Sequence, residues 1–434
     1  MLLIQLTLII LLQIDTILSD NVSFQQRPNT TFIYKMSKPK VILAFSGGLD
    51  TSFCVKYLTD DCGYEVHSAL VDTGGFTPDE LKDIEQKAYD LGVTSHVTLD
   101  VVEKYYNDCI RYLVYGNVLK NNTYPLSVSA ERIFQATAVS EYANKLGAKA
   151  IAHGSTGAGN DQVRFDVVFQ IMVPDCEVIT PIRDMKLSRE AEIDYLKAKG
   201  VVRDWTKSAY SINKGLWGTS VGGKETLTSN GYLPESAWPT QVTKTGEETV
   251  KLHFEKGQLM GINGEISSPV AAIRKLSDIA GPYGIGRDIH VGDTIIGIKG
   301  RVGFEAAAPL LIIKAHHLLE KHTLTKQQLY WKQTLGESYG TMLHEGQFLE
   351  PVMRNFETFL ADTQVNVTGT VDIHLAPYRY QMIGIESKFD LMSSIFGTYG
   401  EMNNSWSGDD VRGFSKIVSN QTMIHRKVTE YAGK

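Results

Sequence analysis

The sequence predicts an α/β fold, a doubly wound parallel sheet, followed by a second α+β domain and a terminal helix. Three observations carry that expectation. "KVILAFSGGLDTS", residues 40 to 52, sets an apolar run without polar interruption, Val41 to Phe45, directly before a glycine turn; such a run suits a central parallel strand covered on both faces. Strand-like and helix-like segments then alternate, which implies βαβ units with a ligand at the carboxyl ends of the strands. Near residue 205 the texture changes to a stretch rich in Gly, Ser and aromatic residues.

The elements follow in order. After the first strand, Ser46, Gly47 and Gly48 allow a tight turn, and Asp50 or Thr51 is expected to cap the helix opened by "TSFCVKYLTDD". "EVHSALVD" reads as a strand, "PDELKDIEQKAYDLG" as an amphipathic helix between Pro78 and Gly92, and "SHVTLDV" as a strand. "EKYYNDCIRYLVYGN" and "SAERIFQATAVSEYANKLG" read as helices, and "AKAIAHGS" as a strand running into a polar loop. The loops after Phe45, Val71 and His153 should therefore lie side by side. "AYSINKGLWGTSVGGKETLTSNGYLPESAWPT" reads as a long irregular binding loop. Beyond it, "EETVKLHFEKGQLMGING", "TIIGIKGRVGFEA" and "TGTVDIHLAPYRYQMIGIES" look like strands with turns, while "PVAAIRKLSDIAGPYG" and "TKQQLYWKQTLGESYGTMLHEG" look like helices. The final "SGDDVRGFSKIVSNQTMIHRKVTEYAGK" reads as a helix that docks on its own domain or on a neighbouring subunit.

Composition narrows the class. A chain of 434 residues with 43% hydrophobic content can bury a large core. A formal net charge of −6 gives no broad basic footprint, which argues against nucleic acid as a partner. The four cysteines, Cys54, Cys62, Cys109 and Cys176, have neither CxxC spacing nor scaffold density and read as reduced thiols of a cytoplasmic protein with no resident metal site. The opening "MLLIQLTLIILLQIDTIL" is apolar but lacks a basic n-region and is interrupted by Asp15. No membrane span is expected there. Met36 in "MSKPKVILAFSGG" is a plausible start, so residues 1–35 read as an N-terminal extension or mis-assigned start.

A strand, a glycine turn and a helix start together form an anion site, because free N–H groups and the positive end of the helix dipole converge there. "SGGLDTS" resembles the pyrophosphate loop of the ATP pyrophosphatase (adenine nucleotide alpha hydrolase-like) families, and no Gly-Lys-Ser/Thr ending follows to make it a Walker loop. A second polar loop, "HGSTGAGNDQVRF", places Thr156, Asn160, Asp161 and Arg164 close together. That set can hold a zwitterion, with Asp161 suited to an ammonium and the others to carboxylates.

The two loops together resemble those of the argininosuccinate synthase family from about Met36 to the end. The resemblance implies ATP-dependent condensation of citrulline with aspartate through a citrullyl-adenylate, releasing AMP and pyrophosphate, with Mg²⁺ accompanying ATP. It implies ATP contacts from Ala44, Phe45, Ser46, Gly47, Gly48, Leu49, Asp50, Thr51, Ser52, Val71 and Gly154. Aspartate would meet Thr156, Asn160 and Asp161, and citrulline would meet Tyr124, Ser129, Asn160, Arg164, Ser211 and Ser220, with Arg132 nearby. Asp161, Ser46 and Asp50 would serve catalysis. The implied domains are 36–205 for nucleotide binding, 206–400 for the synthetase and multimerisation domain, and 401–434 for an oligomerisation helix, in a homotetramer. There are departures. Ala158 stands where many family members have Lys, and Gly292 and Phe304 stand where a citrulline-binding Glu and Tyr would align. A tRNA-modifying or other adenylating ATP pyrophosphatase, or an inactive nucleotide sensor, are the alternatives.

Overall fold

The structure is a computed structural model that describes residues 38–203, 205, 210–392, 397–401 and 405–433. Residues 1–35 and Met36 lie outside the described residues.

The first half is a five-stranded parallel sheet in the order β3-β2-β1-β4-β5, formed by β1 (Lys40–Ala44), β2 (Glu65–Asp72), β3 (Ser95–Asp100), β4 (Ala150–Ala152) and β5 (Glu177–Ile179). The chain starts in the middle, winds outward through β2 and β3, then returns to β4 on the other side of β1. That reversal puts a crevice at the carboxyl ends of β1 and β4. Alternation along β1 explains its unbroken apolar run: Ile42 points to one core with Ala69 and Val71, while Val41, Leu43 and Phe45 point to the other with Val66 and Leu70. Burial on both faces requires helices on both faces, and the chain supplies them.

On the Val41 side lie α1 (Leu49–Lys56), which continues into a π segment Tyr57–Asp61, and α2 (Pro78–Leu91). On the Ile42 side lie α3, made of Val102–Tyr105, a π segment Tyr106–Ile110 and Arg111–Tyr115, then α4 (Ser129–Leu146) and α5 (Asp161–Met172). A helical turn Pro181–Asp184 and α6 (Arg189–Ala198) complete this half. Helix α2 is terminated at both ends as its sequence requires: Thr77 and Glu80 close a capping box, Pro78 takes the first turn, and Gly92 is left-handed at φ 98°.

The second half holds two antiparallel sheets. One is β10-β9-β8-β13-β14, from β8 (Glu248–Glu255), β9 (Gln258–Ile262), β10 (Glu265–Ile266), β13 (Gly369–Ala376) and β14 (Arg379–Glu386). The other is β11-β12-β7-β6, from β6 (Ser211–Gly215), β7 (Gly218–Gly222), β11 (Arg287–Asp293) and β12 (Lys299–Glu305). The helices are α7 (Pro269–Ala280), α8 (Ala307–Thr323), α9 (Lys326–His344), α10 (Pro351–Asp362) and α11 (Gly408–Ala432). The segment expected to be an irregular loop opens instead as the β6–β7 hairpin, because Leu216 and Trp217 are its buried turn and Trp217 Nε1 donates to the Pro125 carbonyl at 2.9 Å. Strand β12 begins only at Lys299, since Thr294 to Ile298 form the turn of a second hairpin.

A buried polar network joins the halves. Glu320 of α8 accepts from Lys332 Nζ at 2.9 Å, from Asn117 Nδ2 at 2.6 Å and from Gln364 Nε2 at 2.9 Å, while Lys332 also donates to the Tyr115 carbonyl. Both charges are fully buried, so each leans on the other, with His316 Nε2 3.6 Å from the same carboxylate as a further neighbour. We expect Lys332→Met to cost about 3–5 kcal/mol in urea unfolding by leaving Glu320 uncompensated, and the double variant with Glu320→Gln to cost less than the single.

Candidate active site

A cavity of about 1400 Å³ opens at the carboxyl ends of the parallel strands. Pockets for one drug-sized ligand run to roughly 300–1,000 Å³, so this space suits several small molecules held together. The loops after Phe45, Val71 and His153 all line it, as the alternation of strands and helices predicts.

The β1 loop forms the first wall. Ala44, Phe45, Ser46, Gly47, Gly48, Leu49, Asp50 and Thr51 line the cavity. Gly47 has φ 74°, the left-handed conformation that lets the chain double back into the helix. Helix α1 begins at Leu49 with Gly48 as N-cap and no side-chain cap, so neither Asp50 nor Thr51 caps it. Both stand inside the first turn, where Asp50 is favoured by the helix dipole. Ser46 and Thr51 place their hydroxyls 3.3 Å apart. Ser52 differs from the expectation: it is fully buried, its hydroxyl donates to the Gly48 carbonyl at 2.7 Å, and it is not on the cavity wall. It shapes the turn instead of facing a ligand.

The β4 loop forms the second wall, with Gly154, Thr156 and Asn160 on the cavity. His153 accepts at Nδ1 from Ser155 N (3.1 Å), so its Nε2 is the nitrogen that can donate to Asp166, 3.0 Å away. Arg183 closes on the other Asp166 oxygen at 2.6 Å, and Gln162 Nε2 donates to the Gly157 carbonyl at 2.7 Å. The loop is thus braced from behind while its face stays free.

Asp161, the first residue of α5, sits where the walls meet. It accepts from Arg132 Nε at 3.0 Å and from Arg164 Nη1 at 2.9 Å. Burial works to raise its carboxyl, but the two guanidiniums outweigh it and hold the group below the usual carboxylate range. Arg164 is anchored in turn, donating through Nε and Nη2 to the His344 carbonyl at 3.0 and 2.8 Å. Arg132 also meets Glu131 at 2.8 Å, whose other oxygen accepts from Thr73 at 3.0 Å. Burial pushes the Glu131 carboxyl up to about 7, with Arg132 and Thr73 pulling the other way.

The second half closes the cavity. Ser211 and Ser220 lie on adjacent strands of the β6–β7 hairpin, with Asn213 paired to Ser220 between them, and all three line the cavity. The hairpin docks tightly on the β2 loop: Leu216 N donates to the Thr73 carbonyl at 2.9 Å, and a Cβ at Gly75 would lie 2.2 Å from the Lys214 carbonyl oxygen. Asn160 Oδ1 accepts from Ile295 N at 2.8 Å, tying the second loop to the β11–β12 turn. Tyr124 and Ser129 line the cavity, and the Tyr124 hydroxyl accepts from Val128 N at 3.1 Å. The sequence expectation brought these residues to one place, Ser52 excepted.

Residues that carried no motif also line it: Lys87, Arg189, Arg203, Lys214, His290 and His344. They come from helix faces, a strand edge and a loop, where a lone cation or imidazole has no spacing to mark it. The apposition of two glycine loops over one cavity is the arrangement that comparison with known proteins can test. Residues 40–202 match the arginosuccinate synthase N-terminal HUP domain, and residues 210–425 match the arginosuccinate synthase C-terminal domain. The chain belongs to the argininosuccinate synthase family. It is 39% identical over 363 residues to the argininosuccinate synthase of Methanocaldococcus jannaschii, a match covering 83% of this chain and 91% of that protein. It is 37% identical over 399 residues to that of Methanococcus maripaludis (91% and 100%) and 35% identical over 405 residues to that of Xylella fastidiosa (91% and 98%). The parallel sheet is accordingly of the HUP type. Among the described residues, no helix is long and apolar enough to cross a membrane.

The Glu131 environment gives a pH prediction. A carboxyl whose folded value rises from 4.5 to about 7 stabilises the fold below pH 4.5, and that contribution is lost as the pH climbs to about 7. Thermal melts across that window should show wild type losing stability relative to Glu131→Gln. A constant offset between the two would mean that Glu131 stays ionised beside Arg132.

Proposed function

We propose that the chain condenses L-citrulline with L-aspartate at the expense of ATP, as an argininosuccinate synthase of arginine biosynthesis. The observation that carries this reading is Asp161, held by two arginines between a phosphate-type loop and a loop of amide and hydroxyl donors, in one cavity with room for three substrates.

ATP lies along the β1 loop, with Val71 against the adenine or ribose, Gly154 completing the nucleotide site and the phosphates over Ser46, Gly47 and Gly48. The N–H groups at the start of α1 stabilise charge on the departing pyrophosphate. Mg²⁺ accompanies ATP. Asp50 is the carboxylate on the β1 wall that would hold the ion beside the phosphate oxygens, and the ion would neutralise charge on the departing pyrophosphate. Lys87, Arg189 and Arg203 are the cations that can balance phosphate charge where Ala158 replaces the family lysine.

Citrulline takes the pocket of Tyr124, Ser129, Arg164, Ser211 and Ser220, beside Asn160. Its ureido oxygen attacks the α-phosphorus, the bond to the pyrophosphate oxygen breaks, and a citrullyl-adenylate forms. Aspartate binds at Thr156, at the amide of Asn160 and at Asp161, whose oxygens keep lone pairs beyond those used by the arginines. The aspartate amine then attacks the activated ureido carbon and AMP leaves with the former ureido oxygen. Asp161 orients that amine; positioning of this kind supplies roughly 7 to 11 kcal/mol of the barrier when alignment is good.

The domain reading follows: nucleotide binding in 36–205, synthetase and multimerisation in 206–400, oligomerisation in 401–434. Helix α11 supports the last assignment. Ser407 and Asp410 close a capping box at its start, yet none of its residues is buried, and Val411, Phe414, Ile417, Ile424 and Val428 are exposed at helical spacing. We read the assembly as a homotetramer and place the reaction in the cytoplasm, in keeping with the four free cysteines.

Two measurements check this reading. Release of AMP and pyrophosphate should require both amino acids, and [ureido-¹⁸O]citrulline should pass its label to AMP; turnover without citrulline, or unlabelled AMP, would sink the adenylate. Removing residues 405–434 should lower the mass seen by light scattering, and an unchanged mass would place the interface elsewhere.

A further inference from the structure

Gly292 and Phe304 stand where the family resemblance implies two polar side chains on the far wall of the citrulline pocket, and the structure shows what lies there instead. Strands β11 and β12 pair in register, His290 with Val302 and Gly292 with Gly300. Between residues 290 and 304 their shared face therefore carries His290, Gly292, Gly300, Val302 and Phe304. Asp288, opposite Phe304 on the same face, does not line the cavity, and Asp293, Thr294 and Arg301 line it from the hairpin's end and other face, so on the cavity-lining part of this face the imidazole is the polar group. Phe304 is fully buried and packs on Tyr124, with ring centroids 5.3 Å apart.

His290 lines the cavity and stacks on Tyr124 at 4.9 Å with the planes 25° apart. A Cβ added at Gly292 would lie 2.5 Å from His290 Nε2. The ring thus occupies the space that any side chain at 292 would need, so the glycine and the histidine form one unit. His290 Nδ1 has no hydrogen-bond partner in the protein although it is buried. A buried nitrogen left without a partner costs free energy; of the five side-chain nitrogens in that condition among the described residues, those of His290 and Trp205 belong to the cavity wall. The neighbouring imidazole offers no such freedom, because His344 Nδ1 already faces Arg164 Nη2 at 3.3 Å and Ser129 Oγ at 3.4 Å.

We propose that the His290 imidazole, seated over Gly292, supplies the polar contact of the far wall and positions citrulline by its amino-acid end. The inference rests on the citrulline pocket assigned above. The ureido end has to reach the nucleotide wall at β1 and β4, which leaves the amino-acid end for the wall built by β11 and β12. Burial, with Lys120 as a second cause, lowers the His290 pKa, so at neutral pH the ring offers one donor and one acceptor. Such a ring can answer either the ammonium or the carboxylate of an amino acid.

Steady-state kinetics of the full chain test this. His290→Phe keeps an aromatic ring against Tyr124 but removes both nitrogens; it should raise the citrulline KM about tenfold or more while the KM for ATP, the KM for aspartate and the melting temperature stay within twofold or a degree or two of wild type. His290→Gln should recover part of the loss. Gly292→Ala should reproduce the citrulline defect by displacing the ring and add nothing further in the His290→Phe background. An unchanged citrulline KM in His290→Phe overturns the proposal, as does a parallel rise in all three KM values. Ser129→Ala separates the two levels of inference: if it raises the citrulline KM while His290→Phe does not, the pocket stands and His290 has no part in it, whereas if neither moves the KM the pocket itself is misplaced.

Discussion

The fold turns on one carboxylate, that of Asp161, shared by two arginines. Arg132 comes from α4, Arg164 from α5, and the carbonyl that steadies Arg164 is that of His344 at the end of α9. Ion pairs of this kind contribute little net stability, because taking the charges out of water costs about as much as their attraction returns. Their effect is geometric. A buried guanidinium without its carboxylate is so unfavourable that the three helices can sit only where the hydrogen bonds reach. The cavity inherits that rigidity.

The second constraint is steric and joins the halves. The β2 loop and the β6 edge approach so closely at Gly75 and Lys214 that no side chain fits between them, and the Trp217 indole reaches the Pro125 carbonyl just before the segment carrying Ser129. A parallel sheet presents only loops and helix ends at its carboxyl edge, suited to phosphate but too open to orient two amino acids. The antiparallel hairpins β6–β7 and β11–β12 supply the missing walls, and they can do so because strand alternation places chosen side chains at fixed intervals facing one side.

Much of this was legible in the sequence where local rules act. The unbroken run Val41 to Phe45 announces a strand buried on both faces, and Thr77, Pro78, Glu80 and Gly92 mark the ends of α2 by their own capping chemistry. The two polar loops could be located because their residues are contiguous. The hairpin at Ser211–Gly222 could not, since its glycine-rich strands owe their form to docking on β2 and β12 and lack a propensity signal. Ser52 looked like a ligand residue by type, but its hydroxyl is consumed by the Gly48 carbonyl one helical turn back, an ordinary outcome for Ser within a helix. The cations and imidazoles of the cavity wall were invisible for a different reason: residues such as Lys87, Arg189 and His290 are brought together only by topology.

The hydrogen bond from Ile295 N to Asn160 Oδ1 joins the tip of the β11–β12 hairpin to the loop after β4. One amide thereby belongs to both walls of the cavity at once, its oxygen held by the hairpin. Displacing the tip would break that bond and release the amide. The loop after β4 and the hairpin that closes the cavity are therefore latched to one another at a single amide, and the cavity is walled as one enclosure instead of two adjoining compartments.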